Sequence, residues 1–255
     1  MQRLPERSSF LWRHIVVLVF VLASFALALS RAPFGQDQSY HAFADSRSAL
    51  GIPNFGDVAS NLIFVIAGLA GLWVCFIKHP GKLRNSWIVM FAGIASVGVA
   101  SAYYHWNPND QTLVWDRATL TIGFMGLFVA ILGEYIDARL QVLLVPAVIS
   151  GVASVLYWHF FDDLRLYYWV QAVPLLVLLL LMLLYPAKYL HQWLLLAAGF
   201  WYGSAKLAEL GDKAVFAATQ GVISGHTIKH LLAGVGSLFI AWWLYVRSDV
   251  YDHEL

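Results

Sequence analysis

Apolar runs about as long as a bilayer is thick recur along this chain, and they restrict its fold more than any other feature. A run of roughly twenty residues crosses about 30 Å of hydrocarbon at about 1.5 Å per residue. Backbone N–H and C=O groups find no water in lipid, so each run is expected to be a helix. Eight candidate spans follow, at 13–30, 57–77, 86–105, 112–133, 140–160, 166–185, 190–208 and 226–247. The expected class is therefore all-α, a polytopic transmembrane helical bundle. Charged residues make up only 12% of the chain, against about 25% in soluble domains, so no soluble domain is expected. No basic block or charged tail is present, which argues against a nucleic-acid partner. The single Cys75 lies within an apolar run, so no disulfide framework is possible. The first run has a basic start (Arg3, Arg7, Arg13) and small residues near its end, as a signal peptide does. Its apolar stretch is longer than a signal core, which favours a retained helix.

Eight spans sort the loops onto two sides. The side of the termini carries Arg3, Arg7, Arg13, Lys78, Lys82, Arg84, Arg139, Lys188 and Arg247 around short loops. The positive-inside rule then places the termini in the cytoplasm. The other side collects a cluster of polar and ionisable residues at span ends: Asp45, Asn54 and Asp57 before the second span, His105 ending the third, Asp116 and Arg117 opening the fourth, Lys206, Glu209 and Asp212 closing the seventh, and His226 and His230 opening the eighth. Such residues are costly in a membrane and point to function. A polar cavity is expected on that side.

His226 and His230 are spaced i, i+4, which puts both imidazoles on one helical face. That pair suits two ligands of one metal, although interfacial histidines are also common in membrane helices. His105 lies at the same depth on another span. Three histidines with an open fourth position form a catalytic zinc arrangement; by ligand type alone, copper, iron or nickel also fit. Ser101, one turn before His105, is either a small residue for close helix packing or a hydrogen-bond donor to developing charge. Asp116 is either a helix cap or partner of Arg117, or a general base. Lys206, Glu209 and Asp212 read equally as supports around the site and as ordinary capping and pairing. His14, His79, His191, His41, His159 and His253 read as interfacial or solvated.

Three segments carry a resemblance: GIPNFGDVASNLIFVIAGLAGL (51–72), GVASAYYHWNPNDQTLVWDRATLTIGFM (98–125) and SGHTIKHLLAG (224–234). In this order and on one face, they resemble the signature regions of bacterial members of the alkaline ceramidase family, part of a wider superfamily that includes the adiponectin and progestin receptors. The resemblance covers the chain from about residue 40. It implies a seven-helix hydrolase core at 41–255, with 1–40 forming an additional N-terminal transmembrane helix and linker. It further implies that His105, His226 and His230 bind Zn2+, that Ser101 and Asp116 are the other two active-site residues, and that the substrate is a ceramide drawn from the bilayer and cleaved at its amide. A bacterial inner membrane, with the site toward the extracytoplasmic face, is the implied location. Some eukaryotic relatives also bind Ca2+ through acidic residues; here Asp45, Asn54 and Asp57 occupy that region, with Asn54 where a carboxylate is expected, and Glu209 and Asp212 are further candidates. Three other readings stand beside this one: a receptor built on the same zinc fold, a proton or metal conduit, and a hydrolase of another lipid amide or ester. A conduit needs polar residues in both halves of the membrane, and a receptor a sizeable cytoplasmic domain, neither of which the sequence offers.

Overall fold

The computed structural model describes residues 7–248. These residues form helices α1 (Arg7–Ser30), α2 (Phe55–Ser60), α3 (Leu62–Lys78), α4 (Arg84–Trp106), α5 (Asp110–Tyr135), α6 (Leu144–Phe161), α7 (Arg165–Leu184), α8 (Trp193–Leu210), α9 (Asp212–Ala218) and α10 (Gly225–Val246). Strand pairing among them is limited to one isolated bridge, Ala49 with Ile52. Seven stretches are long and apolar enough to cross a membrane, with α2 and α3 together making one of them. The chain is a multi-pass membrane protein and an all-α bundle. The span expected at 190–208 is present as α8, but Lys206, Glu209 and its glycines dilute its hydropathy, and it is not among the seven. It packs along α10 instead of standing alone.

Local chemistry sets the helix ends. Asn109 accepts a hydrogen bond from the Thr112 N–H and starts α5; Ser224 does the same for Thr227 and starts α10. The break between α2 and α3 falls at Asn61, whose side-chain amide donates to the Asp57 carbonyl at 2.7 Å. Packing then follows the rule for lipid, where small residues let backbones approach. A Cβ at Gly93 would sit 2.5 Å from the Gly123 nitrogen, and one at Gly126 2.5 Å from the Met90 nitrogen, so α4 and α5 meet at van der Waals contact. On α3, Leu62, Ile66, Leu69, Trp73 and Phe76 repeat every three or four residues and are exposed, while Ala67, Gly68, Gly71 and Cys75 face inward. The exposed stripe is the lipid face.

α1 lies at the periphery against α7. Trp169 donates to Ser24 Oγ at 3.1 Å, and Arg165 donates to the Leu29 carbonyl at 2.8 Å while pairing with Asp163 at 2.7 Å. The opposite end of the bundle holds a second buried polar group that sequence reasoning missed. Glu134 accepts from Trp87 (3.0 Å), Tyr189 (2.6 Å) and Arg247 (2.6 Å). It ties α4, α5, the segment before α8 and the end of α10 together. His14 stacks on Tyr185 at that same end. Arg3 and His253 lie outside the described residues, as does the side chain of Arg7.

Candidate metal centre and cavity

His105 ends α4, and His226 and His230 occupy the first two turns of α10, so two helix ends deliver three imidazoles to one place. All three are buried, at 1%, 3% and 2% exposure. One nitrogen from each lies within 4.8 Å of the others. The Nε2 atoms of His105 and His226 are 3.2 Å apart. Two nitrogens bound at about 2.0–2.1 Å to one tetrahedral ion would stand about 3.3–3.4 Å apart. Lys229 Nζ also lies 2.8 Å from His226 Nε2. An imidazole nitrogen has one lone pair; a cation among the rings accepts those of His105 and His226 together, and Lys229 keeps Glu209 as its partner. The donor set therefore fits a metal ion.

Hydrogen bonds orient the rings. Ser60 Oγ donates to the Asp57 carbonyl at 3.1 Å and lies 2.7 Å from His230 Nδ1. With its proton committed, the hydroxyl accepts from Nδ1–H, which leaves the His230 Nε2 lone pair free for a metal. Asn54 donates to the His105 carbonyl at 2.8 Å. Asp212 accepts from the His226 N–H at 2.8 Å and from the Ala44 N–H at 2.9 Å. Asp57 Oδ1 accepts from Thr227 (2.7 Å) and Ser224 (3.2 Å); its Oδ2 has no protein partner. Asp45 pairs with Arg47 at 2.7 Å, and the guanidinium holds its carboxyl below the ordinary range. Glu209 pairs with both Lys206 and Lys229 at 2.9 Å. These five candidates are thus engaged separately, and among the described residues only the three histidines converge as a ligand group.

Ser101 lies one turn below His105 on α4, and Asp116 lies in the second turn of α5. Both line a cavity of about 170 Å³ together with His230, Arg117, Lys206, Glu209 and Lys229. The cavity continues between α4, α5, α7, α8 and α10 along Met90, Ile94, Phe124, Leu127, Leu178 and Ile240. It is polar at the histidine end and apolar beyond, the shape an acyl chain with a reactive head requires.

The linker between α1 and α2 roofs the site. The Phe43 ring packs at 4.6 Å from the rings of both His105 and His226. Tyr40 donates to Glu209 at 3.2 Å, and burial pushes its hydroxyl pKa well up, so it stays a neutral donor. His41, read as interfacial or solvated, is instead held between the Tyr104 hydroxyl (2.8 Å) and Asp110 (3.1 Å). Sequence reasoning missed this roof because the linker has no periodicity to read. It also passed over Lys229, whose place between His226 and His230 was the available signal. Neither the models of known protein families nor the curated proteins match this chain.

Proposed function

We propose that the chain is a membrane-embedded, zinc-dependent amidohydrolase that cleaves ceramide or a related lipid amide to a sphingoid-type amine and a fatty acid. The observation that carries this reading is the convergence of three buried imidazoles beside a carboxylate at the polar end of an apolar cavity. Zinc held by His105, His226 and His230 would polarise the scissile carbonyl and acidify water. The chain's own groups do the rest. Asp116 takes the proton from the attacking water as the C–O bond forms, then passes it to the amide nitrogen as the C–N bond breaks. The amine leaves neutral and the carboxylate recovers its charge. The Ser101 hydroxyl steadies Asp116 or donates to the developing oxyanion. Apolar walls between α5, α7 and α8 hold the acyl chain and exclude water. The loop charges favour cytoplasmic termini with the site toward the opposite face, and the resemblance adds a bacterial inner membrane to the proposal.

The test is metal analysis of the purified protein combined with a mass-spectrometric screen of lipid amides. The expected result is one zinc per chain, with amine and fatty acid appearing together. Protein that binds no metal and leaves every amide intact refutes the reading.

A further inference from the structure

Arg117 is 3% exposed, and it lines the cavity next to Asp116. Among the described residues no carboxylate forms an ion pair with it. Its Nη2 donates to the Gln36 side chain, and its Nη1 is buried without a hydrogen-bond partner. The guanidinium is stacked over Trp158 at 4.0 Å and lies 4.7 Å from the Tyr167 ring. Such rings offset part of the cost of burying a cation. An arginine taken out of water ordinarily meets a carboxylate or phosphate, because its planar fork fits their oxygens.

The rest of the cavity does not supply that anion. The two other cations that line it, Lys206 and Lys229, already share Glu209. Asp116, the remaining carboxylate lining the cavity, faces Ser101. With Asp116 and Glu209 both ionised, the side chains lining the polar end keep one positive charge in excess, before the charge of any bound metal is counted. A neutral lipid would leave that charge uncompensated, and a fully apolar one would raise the cost of burying it.

We infer that the cavity recognises an anionic amphiphile: an acyl chain lies along the apolar walls, and a carboxylate borne near the chain's polar end meets the guanidinium of Arg117. This rests on the cavity assignment above and narrows its substrate class, away from ceramide, which is neutral, to related lipid amides with a negatively charged head, of which N-acyl amino acids are the simplest. The same carboxylate chemistry is presented by a free fatty acid, so the two sources must be separated by experiment.

The test compares binding of N-oleoylglycine, N-oleoylethanolamine, oleate and oleyl alcohol to the detergent-solubilised full chain, measured by ligand-induced thermal shift and by competition. The first two ligands share the acyl chain and the amide and differ in charge. N-oleoylglycine is expected to bind tighter than N-oleoylethanolamine by about tenfold or more, the worth of a charge-assisted hydrogen bond. Arg117→Gln should erase that preference, and Arg117→Lys should keep part of it. Oleate that matches N-oleoylglycine, with the same dependence on Arg117, assigns the subsite to an acyl carboxylate; oleate that binds no better than oleyl alcohol assigns it to the head of the amide. Equal binding of all four ligands by the wild-type protein overturns the inference, even where Arg117→Gln does not fold. An unchanged preference in Arg117→Gln does the same. Product formation is followed in the same samples. Charge-selective binding without hydrolysis defeats the hydrolase reading and spares the anion site; hydrolysis of neutral and anionic amides alike defeats the site and spares the hydrolase.

Discussion

Replacing His226 with alanine removes a nitrogen that His105 Nε2 approaches to 3.2 Å and Lys229 Nζ to 2.8 Å. The expected outcome is protein that inserts and folds but carries no metal by elemental analysis, with hydrolysis abolished. Asp116→Asn should separate the two properties. It leaves the three nitrogens in place, so bound metal should persist while amide turnover falls by about 10²-fold or more, the usual weight of a general base. Ser60→Ala removes no metal ligand, yet it frees the His230 tautomer. Metal affinity measured against a competing chelator should fall by about 10- to 100-fold. These residues differ in how legible they were. The i, i+4 histidine pair and the matching depth of His105 announce themselves in the sequence, because helical geometry is periodic. Ser60 and Asn54 act through single hydrogen bonds across α2, α4 and α10, and no spacing rule connects such distant positions.

Helices were readable nearly to their ends, since each apolar run is bounded by polar residues and caps such as Asn109 and Ser224. The linker was not, because its contacts with the site depend on tertiary position alone. The α4–α5 contact offers the test at this scale. A leucine at Gly126 would drive its Cβ to 2.5 Å from the Met90 nitrogen, backbone that cannot give way. Gly126→Leu should lower the melting temperature in detergent by several degrees, consistent with about 1–3 kcal/mol for overpacking, whereas substitution at Gly199, which has open space around it, should leave it nearly unchanged. The helix α8, expected at 190–208 and present there, falls short of the other spans in hydropathy for a structural reason. Its polar residues face the cavity, so low hydropathy there reflects what the helix lines.

Across the whole molecule, acid sensitivity should come from paired carboxylates outside the spans. Arg47 holds Asp45 down, Arg165 holds Asp163 down, and Arg139 holds Asp137 at about 2. A depressed carboxyl contributes stability that is complete above its unfolded pKa, about 4, and is lost as pH falls through its folded value. Thermal stability in detergent should therefore be flat above about pH 5 and decline below about pH 4. Asp163→Asn should blunt that decline, since Arg165 also binds the end of α1 at the Leu29 carbonyl. A melting temperature that does not respond to acid would show that these pairs contribute nothing measurable.

Phe43 seals the histidines from the aqueous side, and Tyr40, Ala44 and Asn54 fasten the same stretch of chain to Glu209, Asp212 and the end of α4. Water-borne visitors thus meet a closed door. A chelator has to wait for that stretch to peel away, so removal of an ion should be slow and set by the chain's own opening, indifferent to how much chelator is supplied. Phe43→Ala would make the same removal fast and concentration-dependent, while a fatty chain arriving between helices from the lipid should notice little.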